Sequence, residues 1–178
     1  MELFLLAQAE LLRSNVDRKH PFNYFWVTTL DYFPEVRTVV LRKAEDDFRL
    51  TFFTDSRSPK VEHIQRNPRV SALFYHPRKK LQLRIKGEAK VWTSSGEKHR
   101  EFKRRVEQSG SLKDYTTNQA PGTPLREEGL PESGTEIYFA VVEIESILLD
   151  ILQLGSENHQ RAQYQKENQE WKEQKVVP

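Results

Sequence analysis

Hydrophobic positions along this chain change period several times, and each change marks an element. Leu3, Leu6, Ala9, Leu11 and Leu12 recur at helical spacing and predict an amphipathic helix over residues 2–14. Tyr24 to Leu30 is aromatic and β-branched throughout, the composition of a strand buried on both faces or nearly so. Val36–Arg42 and Phe48–Thr54 are the next strands, with turns at Asp31–Glu35 and Glu45–Asp47, and connections this short imply antiparallel neighbours. Ser58-Pro59 starts a helix, since Ser is a good N-cap and Pro suits the first helical position, and Asn67-Pro68 stops it after about Arg66. Val70–Tyr75 is a fourth strand. Leu81–Trp92 is a fifth, in which Leu81, Leu83 and Ile85 alternate with Gln82, Arg84 and Lys86, and Gly87 is a candidate bulge. Ser94 and Glu97 stand at capping-box spacing before a helix that runs to about Gln108. Residues 109–134 hold four of the seven glycines and three prolines, and read as a functional or interface loop. Glu136–Ile151 is strand-like again, and 157–178 is very polar.

Six or so short strands with helices at their edges predict a mainly β fold: a small antiparallel barrel with peripheral helices, an α+β sandwich being the other arrangement the pattern allows. The 178 residues suffice for one domain, residues 1–178, with a helical segment at 1–20, the long loop, and the C-terminal segment packed on the barrel. A net charge of +2 excludes a polycation that binds nucleic acid by charge alone. The absence of cysteine excludes disulfides, thiolate catalysis and Cys-ligated metal clusters, and fits a cytoplasmic setting. The apolar run at residues 1–6 is too short to span a membrane and lacks the flanks of a signal peptide.

Two features carry candidate chemistry. The helix start at Ser58-Pro59 leaves backbone N–H groups free at the positive end of the helix dipole, and Lys60 adds a full charge, which together suit an anion; an ordinary capped helix with a solvated lysine is the bland alternative. Arg37 and Arg42 bracket an otherwise apolar strand and need partners: a phosphate, Asp31, Glu35 or solvent. Residues five apart face opposite sides of a regular strand, so both reach one ligand only across a bulge or at a dimer interface. Gln82 offers a donor and acceptor to a heterocycle edge or to water. The basic run His99–Arg105 is interleaved with acid and reads as a solvated helix face; a nucleic-acid-binding barrel using Tyr24, Phe25 and Trp26 is the weakest alternative.

Taken in order, these segments resemble the pyridoxamine 5′-phosphate oxidase-like FMN-binding split-barrel family. Arg37-Thr38-Val39-Val40-Leu41-Arg42 is similar to the family's Arg-x-Val-Leu-Leu-Lys strand, and Phe52-Phe53-Thr54-Asp55 to its Phe-Tyr-Thr-Asn segment. Ser58-Pro59-Lys60 with Asn67-Pro68 resembles its Ser-Arg-Lys helix start and stop. Arg161-Ala162-Gln163-Tyr164, Glu167-Asn168, Trp171-Lys172 and Pro178 match the oxidase ending at the same intervals, so the polar tail is expected to be ordered. The wording of Thr54–Lys60, and Arg at 42, stand nearer the uncharacterised branch of the family than the true oxidase.

The resemblance implies FMN as cofactor. Arg37, Ser58 and Lys60 would bind its phosphate; Arg42, Phe53 and Thr54 would line its ribityl chain and ring, and Gln82 the ring edge; Thr38, Val39, Val40, Leu41, Gln119 and Arg161 would be further cofactor contacts. It also implies a homodimer with the flavin in a cleft between subunits and a small-molecule substrate, with no nucleic acid, membrane or metal. His159 is the candidate substrate contact, and no general base is identifiable. The departures concern the substrate. Pro59 replaces the second Arg of the family motif. Phe102, Val106 and Gly110 stand where the oxidase holds substrate phosphate with Tyr, Arg and Ser, with Arg104 and Arg105 nearby as substitutes. Glu157-Asn158-His159 keeps the His of Arg-x-His but loses the Arg. A phosphorylated substrate would find its charge poorly paired there. The expectation is an FMN-dependent oxidoreductase acting on something other than pyridoxamine 5′-phosphate, the alternative being a flavin- or haem-binding carrier or sensor without turnover.

Overall fold

The computed structural model describes residues 1–93, 96–109, 111–125, 132–156 and 158–178. Eight strands form one antiparallel sheet: β1 (Tyr24–Leu30), β2 (Pro34–Ala44), β3 (Leu50–Asp55), β4 (Arg69–His76), β5 (Leu81–Trp92), β6 (Phe139–Gln153), β7 (Gln160–Glu167) and β8 (Glu170–Lys175). Their order is β3-β2-β1-β4-β5-β6-β7-β8, and β3 also pairs with β6. That pairing closes β1 to β6 into a six-stranded barrel, and β7 and β8 extend the sheet beyond it. β6 can serve both neighbours because it is 15 residues long: Phe139–Ile144 pairs with β3, while Leu148–Gln153 pairs with β7.

The barrel is filled from alternate positions. Phe25 and Val27 of β1, Phe52 of β3, Phe74 of β4, and Leu83 and Ile85 of β5 are fully buried, and Phe25 stacks on Phe74 at 4.8 Å between centroids. The expectation that β1 is buried on both faces fails. Its burial alternates, with Tyr24 62% and Trp26 42% exposed, so the aromatic run is one core face and one outer face. Gly87 marks the anticipated irregularity: the β5–β6 register slips between Lys86 and Gly87, and a Cβ on Gly87 would lie 2.1 Å from the carbonyl oxygen of Glu145. Phe48, expected to open β3, lies instead in the turn before it at φ 65°, its ring buried against Phe4 and Trp171.

Helix α1 (Glu2–Arg13) packs against β6 and β7. Its buried face is Leu3, Phe4, Ala7, Glu10 and Leu11; Ala9, assigned to that face from the sequence, is exposed. Asn15, just beyond it, exchanges two hydrogen bonds of 2.8 Å with the Ala44 backbone. Helix α2 (Pro59–Arg66) packs against β1 and β5, and the chain after it is tied by Ala89 N–H to the Pro68 carbonyl at 2.7 Å. Helix α3 (Glu97–Ser109) lies on the outside of β6; the Ser94 half of the expected capping box is outside the described residues. The polar C-terminal segment is the β7–β8 hairpin. Its two-residue turn, Asn168-Gln169, has φ of 49° and 69°, the left-handed geometry that suits a right-twisted hairpin.

Candidate functional site

Ser58 occupies the N-cap position of α2, but its side chain makes no capping bond. Its hydroxyl accepts from the Lys60 ammonium, which also donates to Thr54 Oγ1 at 3.0 Å. Ser58 and Thr54 are buried, and Lys60 is partly so. Arg37 stands close enough to act on Lys60 electrostatically. Burial first, and then the Arg37 charge, hold the Lys60 ammonium below its ordinary value, with Asp55 opposing. Burial likewise lowers Arg37 against a weak pull from Glu35, whose carboxylate is 4.0 Å away and half exposed. Among the described residues no carboxylate makes an ion pair with Lys60. Two desolvated cations and two hydroxyls thus converge with almost no negative charge between them, which is a cradle for a polyanionic group.

Arg37 is set by Glu35, one of the partners anticipated for it, and by two residues that sequence reasoning passed over, Thr29 and His63. Its guanidinium donates to Thr29 Oγ1 at 2.7 Å and to the Glu35 carbonyl at 2.7 Å. Thr29 is buried on β1, and its hydroxyl lies 3.1 Å from Nδ1 of the buried α2 residue His63, whose Nε2 is 3.6 Å from Asp31. A threonine in a β-rich run and a histidine in a short helix carry no local signal of this link; it exists only once α2 lies on β1.

Arg42 does not join this cradle. It is the extra residue where the β2–β3 register slips between Leu41 and Lys43, and its guanidinium lies 5.4 Å from the Phe53 ring centroid. There it also meets Tyr115, whose phenol is pushed up by burial while Arg42 pulls it down. Phe53 belongs to a second apolar cluster under α3, with Phe102, Val106, Tyr115, Phe139 and Val141. Phe102 and Val106, placed from the sequence where a substrate phosphate is held, are therefore buried packing residues; Gly110 lies outside the described residues, as does the side chain of Arg105, while Arg104 is exposed. Val39 and Leu41 face the barrel core, whereas Thr38 and Val40 are exposed on its outside.

Gln119 is held by a clamp. Arg57 bonds both Asp55 oxygens, stacks 3.4 Å over the Tyr138 ring, and donates to the carbonyls of Thr117, Asn118 and Gln119. Among the described residues Gln119 Oε1 is buried with no donor and Trp92 Nε1 with no acceptor. Gln82 and Arg161 lie elsewhere, on the outer face of the sheet, linked by register through Leu152. Arg161 is held by the buried Asp150, which binds it through both oxygens at 3.0 and 2.8 Å and also takes Arg84 and Gln163. His159 is exposed and lines, with Arg161, a cavity of about 470 Å³. The single chain thus brings Arg37, Thr54, Ser58 and Lys60 together, and leaves Gln82, Arg161 and His159 apart from them.

Residues 6–93 match a family model described as the pyridoxamine 5′-phosphate oxidase FMN-binding domain. Over that segment the chain matches that FMN-binding family. The matched segment holds the whole cradle and ends one residue past β5. Solved structures extend the likeness through the rest of the barrel. A pyridoxamine 5′-phosphate oxidase-related, FMN binding protein from Nostoc punctiforme PCC 73102 superposes with TM-score 0.74 at 24% identity, over 98% of this chain and 95% of that one. PhzG from Burkholderia lata 383, in complex with tetrahydrophenazine-1-carboxylic acid, gives 0.76 at 17% identity, over 98% and 91%. A putative pyridoxamine 5′-phosphate oxidase from Listeria innocua gives 0.52 at 22%, over 86% and 99%. At these identities the likeness concerns the fold. No curated protein matches the chain. No helix among the described residues is long and apolar enough to cross a membrane.

The cradle fits the family's cofactor. FMN ends in a phosphate dianion, which supplies the negative charge that Arg37 and Lys60 lack, and its polar ring edges offer partners of the kind that Gln119 Oε1 and Trp92 Nε1 are without.

Proposed function

We propose that this protein is a homodimeric FMN-dependent oxidoreductase whose substrate is not pyridoxamine 5′-phosphate. The observation that carries the reading is the pair of desolvated cations, Arg37 and Lys60, the lysine bonded to Thr54 and Ser58 and, among the described residues, ion-paired to no carboxylate. These four groups would hold the FMN phosphate. Arg42, Phe53, the backbone of Thr38–Leu41 and Gln119 would flank the rest of the cofactor. The bound flavin supplies hydride or electron transfer; the protein's part is to bind it, orient it and exclude water.

Two further observations support the finer claims. Tyr24, Trp26, Leu30, Val36, Val40 and Tyr75 are all exposed on the outer face of β1, β2 and β4, an apolar surface that a second copy of the chain would cover. Gln82 and Arg161 lie on the same outer row of the sheet, Val40–Tyr24 and Tyr75–Gln82–Leu152–Arg161, so a partner seated there would meet them. As for substrate, α3 turns Phe102 and Val106 into the apolar cluster and so presents neither a guanidinium nor a hydroxyl at the positions where a substrate phosphate would need one.

Purification after riboflavin supplementation tests the reading. Yellow protein that releases FMN on denaturation, and whose flavin is bleached by NAD(P)H or a candidate amine, is the expected result. Colourless protein that takes up no FMN at micromolar concentration would end it. Bound FMN that no donor reduces would instead leave a carrier.

A further inference from the structure

A second cluster of buried ionisable groups lies away from the cradle, where α1 meets the barrel. Glu10 is 4% exposed, His20 4% and His76 7%. Glu10 Oε2 is 3.2 Å from His20 Nε2 and 3.3 Å from His76 Nε2, while Oε1 takes the Lys79 ammonium at 2.6 Å. Two imidazole nitrogens and a carboxylate oxygen this close could in principle hold a divalent cation. The other ring nitrogens decide against it. His20 Nδ1 accepts the Phe22 N–H at 3.1 Å, and His76 Nδ1 accepts the Lys79 N–H at 3.2 Å. A nitrogen that accepts carries no proton, so each neutral ring bears its proton on Nε2 and donates it to Glu10. A metal at Nε2 would have to move that proton to Nδ1, against the backbone N–H that points there, and it would sit beside an ammonium already bound to the same carboxylate.

We propose that this cluster is a proton-sensitive clasp: two histidines and one carboxylate fasten α1 to the barrel, and the fastening loosens as His76 takes up a proton. Geometry supplies the mechanism. The incoming proton can only go to Nδ1, where a backbone N–H already points, so uptake turns an attraction into a repulsion. At His20 that undoes the cap of the 3-10 turn Pro21–Asn23; at His76 it undoes a tie of the β4–β5 turn. Charge works in the same direction. The groups facing one another are Glu10 from α1, His20 from the following loop, His76 from β4 and Lys79 from the β4–β5 turn. One carboxylate and one ammonium already balance, and each added proton places an unmatched positive charge in a buried site. Burial accordingly lowers His76, and His20 and Lys79 add to that against Glu10.

The sign follows from linkage. A histidine whose folded pKa lies below its ordinary value of 6.5 gives stability that falls as pH drops from about 6.5 toward the depressed value. The clasp is closed above that window and weakens within it. What it fastens is the apolar face of α1, whose Phe4 packs on Phe48, Tyr164 and Trp171.

Hydrogen exchange of the full chain, read by mass spectrometry at pH 7.5 and 5.5, tests the proposal. Protection of the α1 amides should fall by about tenfold per pH unit for each proton taken up on opening, while β5 and β6 stay protected. In the double variant His20→Gln/His76→Gln, where an amide can still donate to Glu10 but does not titrate, α1 protection should lose that pH dependence. Should that variant fail to fold, the wild-type measurement suffices. Unchanged α1 protection down to pH 5.5 would overturn the proposal, and so would an equimolar zinc ion that raises α1 protection at pH 7.5, since the cluster would then be a metal site.

Discussion

Replacing Lys60 by methionine keeps the stem and removes the charge. In the free protein Lys60 loses only hydrogen bonds to two hydroxyls, Thr54 and Ser58, and gives up its repulsion with Arg37, so fold stability should hold or rise slightly. Binding is another matter. A charge-assisted contact to phosphate is worth roughly 1.5–3 kcal/mol, which is about 10- to 150-fold in Kd. The assay is quenching of flavin fluorescence, with FMN and riboflavin titrated into wild type and Lys60→Met. Riboflavin lacks the phosphate, so the two ligands and two proteins form a cycle that isolates the lysine–phosphate term. FMN should weaken in the variant and riboflavin should not. pH gives an independent check. Burial and Arg37 hold Lys60 below its ordinary value of 10.5, and a bound dianion favours the charged form, so binding takes up a proton at high pH. FMN affinity of the wild type should therefore fall as pH rises through the alkaline range below 10.5, a slope that Lys60→Met removes. Equal weakening of FMN and riboflavin, or unchanged FMN affinity, would refute the assignment of the phosphate to this cradle.

Other perturbations probe the outer face. Asp150→Asn removes the carboxylate that binds Arg84, Arg161 and Gln163; a broken buried pair costs 3–5 kcal/mol, but both arginines are partly exposed, so about 1–2 kcal/mol is expected by urea denaturation. Burial raises the Asp150 carboxyl, but the bonds from Arg161, Arg84 and Gln163 outweigh it and hold it well below 3.8, so this contribution is present above that pH and is lost on further acidification; a cost that shrinks already between pH 7 and 5 would contradict it. Trp26→Glu places a charge in the centre of the exposed apolar face; light scattering should show monomer where wild type is dimer, with FMN affinity lost in parallel, and a variant that stays dimeric would move the interface elsewhere.

How much of this was legible depends on whether a signal is local. β5 runs over the residues its alternation marks, Leu81–Trp92, and the start and stop of α2 follow from Ser58-Pro59 and Asn67-Pro68, because alternation and proline sterics act within a few residues. Gly87 was legible as an irregularity, though its partner Glu145, far along the chain, was not. β1 misled because aromatic composition shows that a face is apolar but not what covers it. The β7–β8 hairpin was invisible to periodicity since only Ala162 and Tyr164 of β7 are buried, and β8 is a charged edge strand of the kind that resists further pairing. In the cradle, the cations were visible as residue types at a helix start and a strand end. Their support by Thr29 and His63, and the bulge at Arg42, which still leaves it outside the cradle, depend on strand register, which no single segment encodes.

The division of the candidate residues between an inner cradle and an outer face has a consequence that separates one-chain from two-chain sites. Under the proposed dimer, each flavin takes its phosphate grip from one protomer and Arg161 from the other. Lys60→Met and Arg161→Ala homodimers would then each carry two defective sites. Mixing the two variants under conditions that exchange subunits yields heterodimers in which the Arg161→Ala protomer supplies an intact Lys60 and the Lys60→Met protomer an intact Arg161. One site per heterodimer is whole and the other doubly defective. Tight FMN binding should therefore reappear on mixing, at a stoichiometry below one per dimer, with an affinity equal to wild type. If Lys60 and Arg161 serve a flavin within the same protomer, every heterodimer site keeps one defect and mixing restores nothing. The register argues for the first outcome: Arg161 neighbours Leu152 on the outer face, whereas Arg37 reaches the buried Thr29. Within one chain Arg161 is bound through two nitrogens to Asp150 on β6 and, among the described residues, makes no contact with those of the cradle.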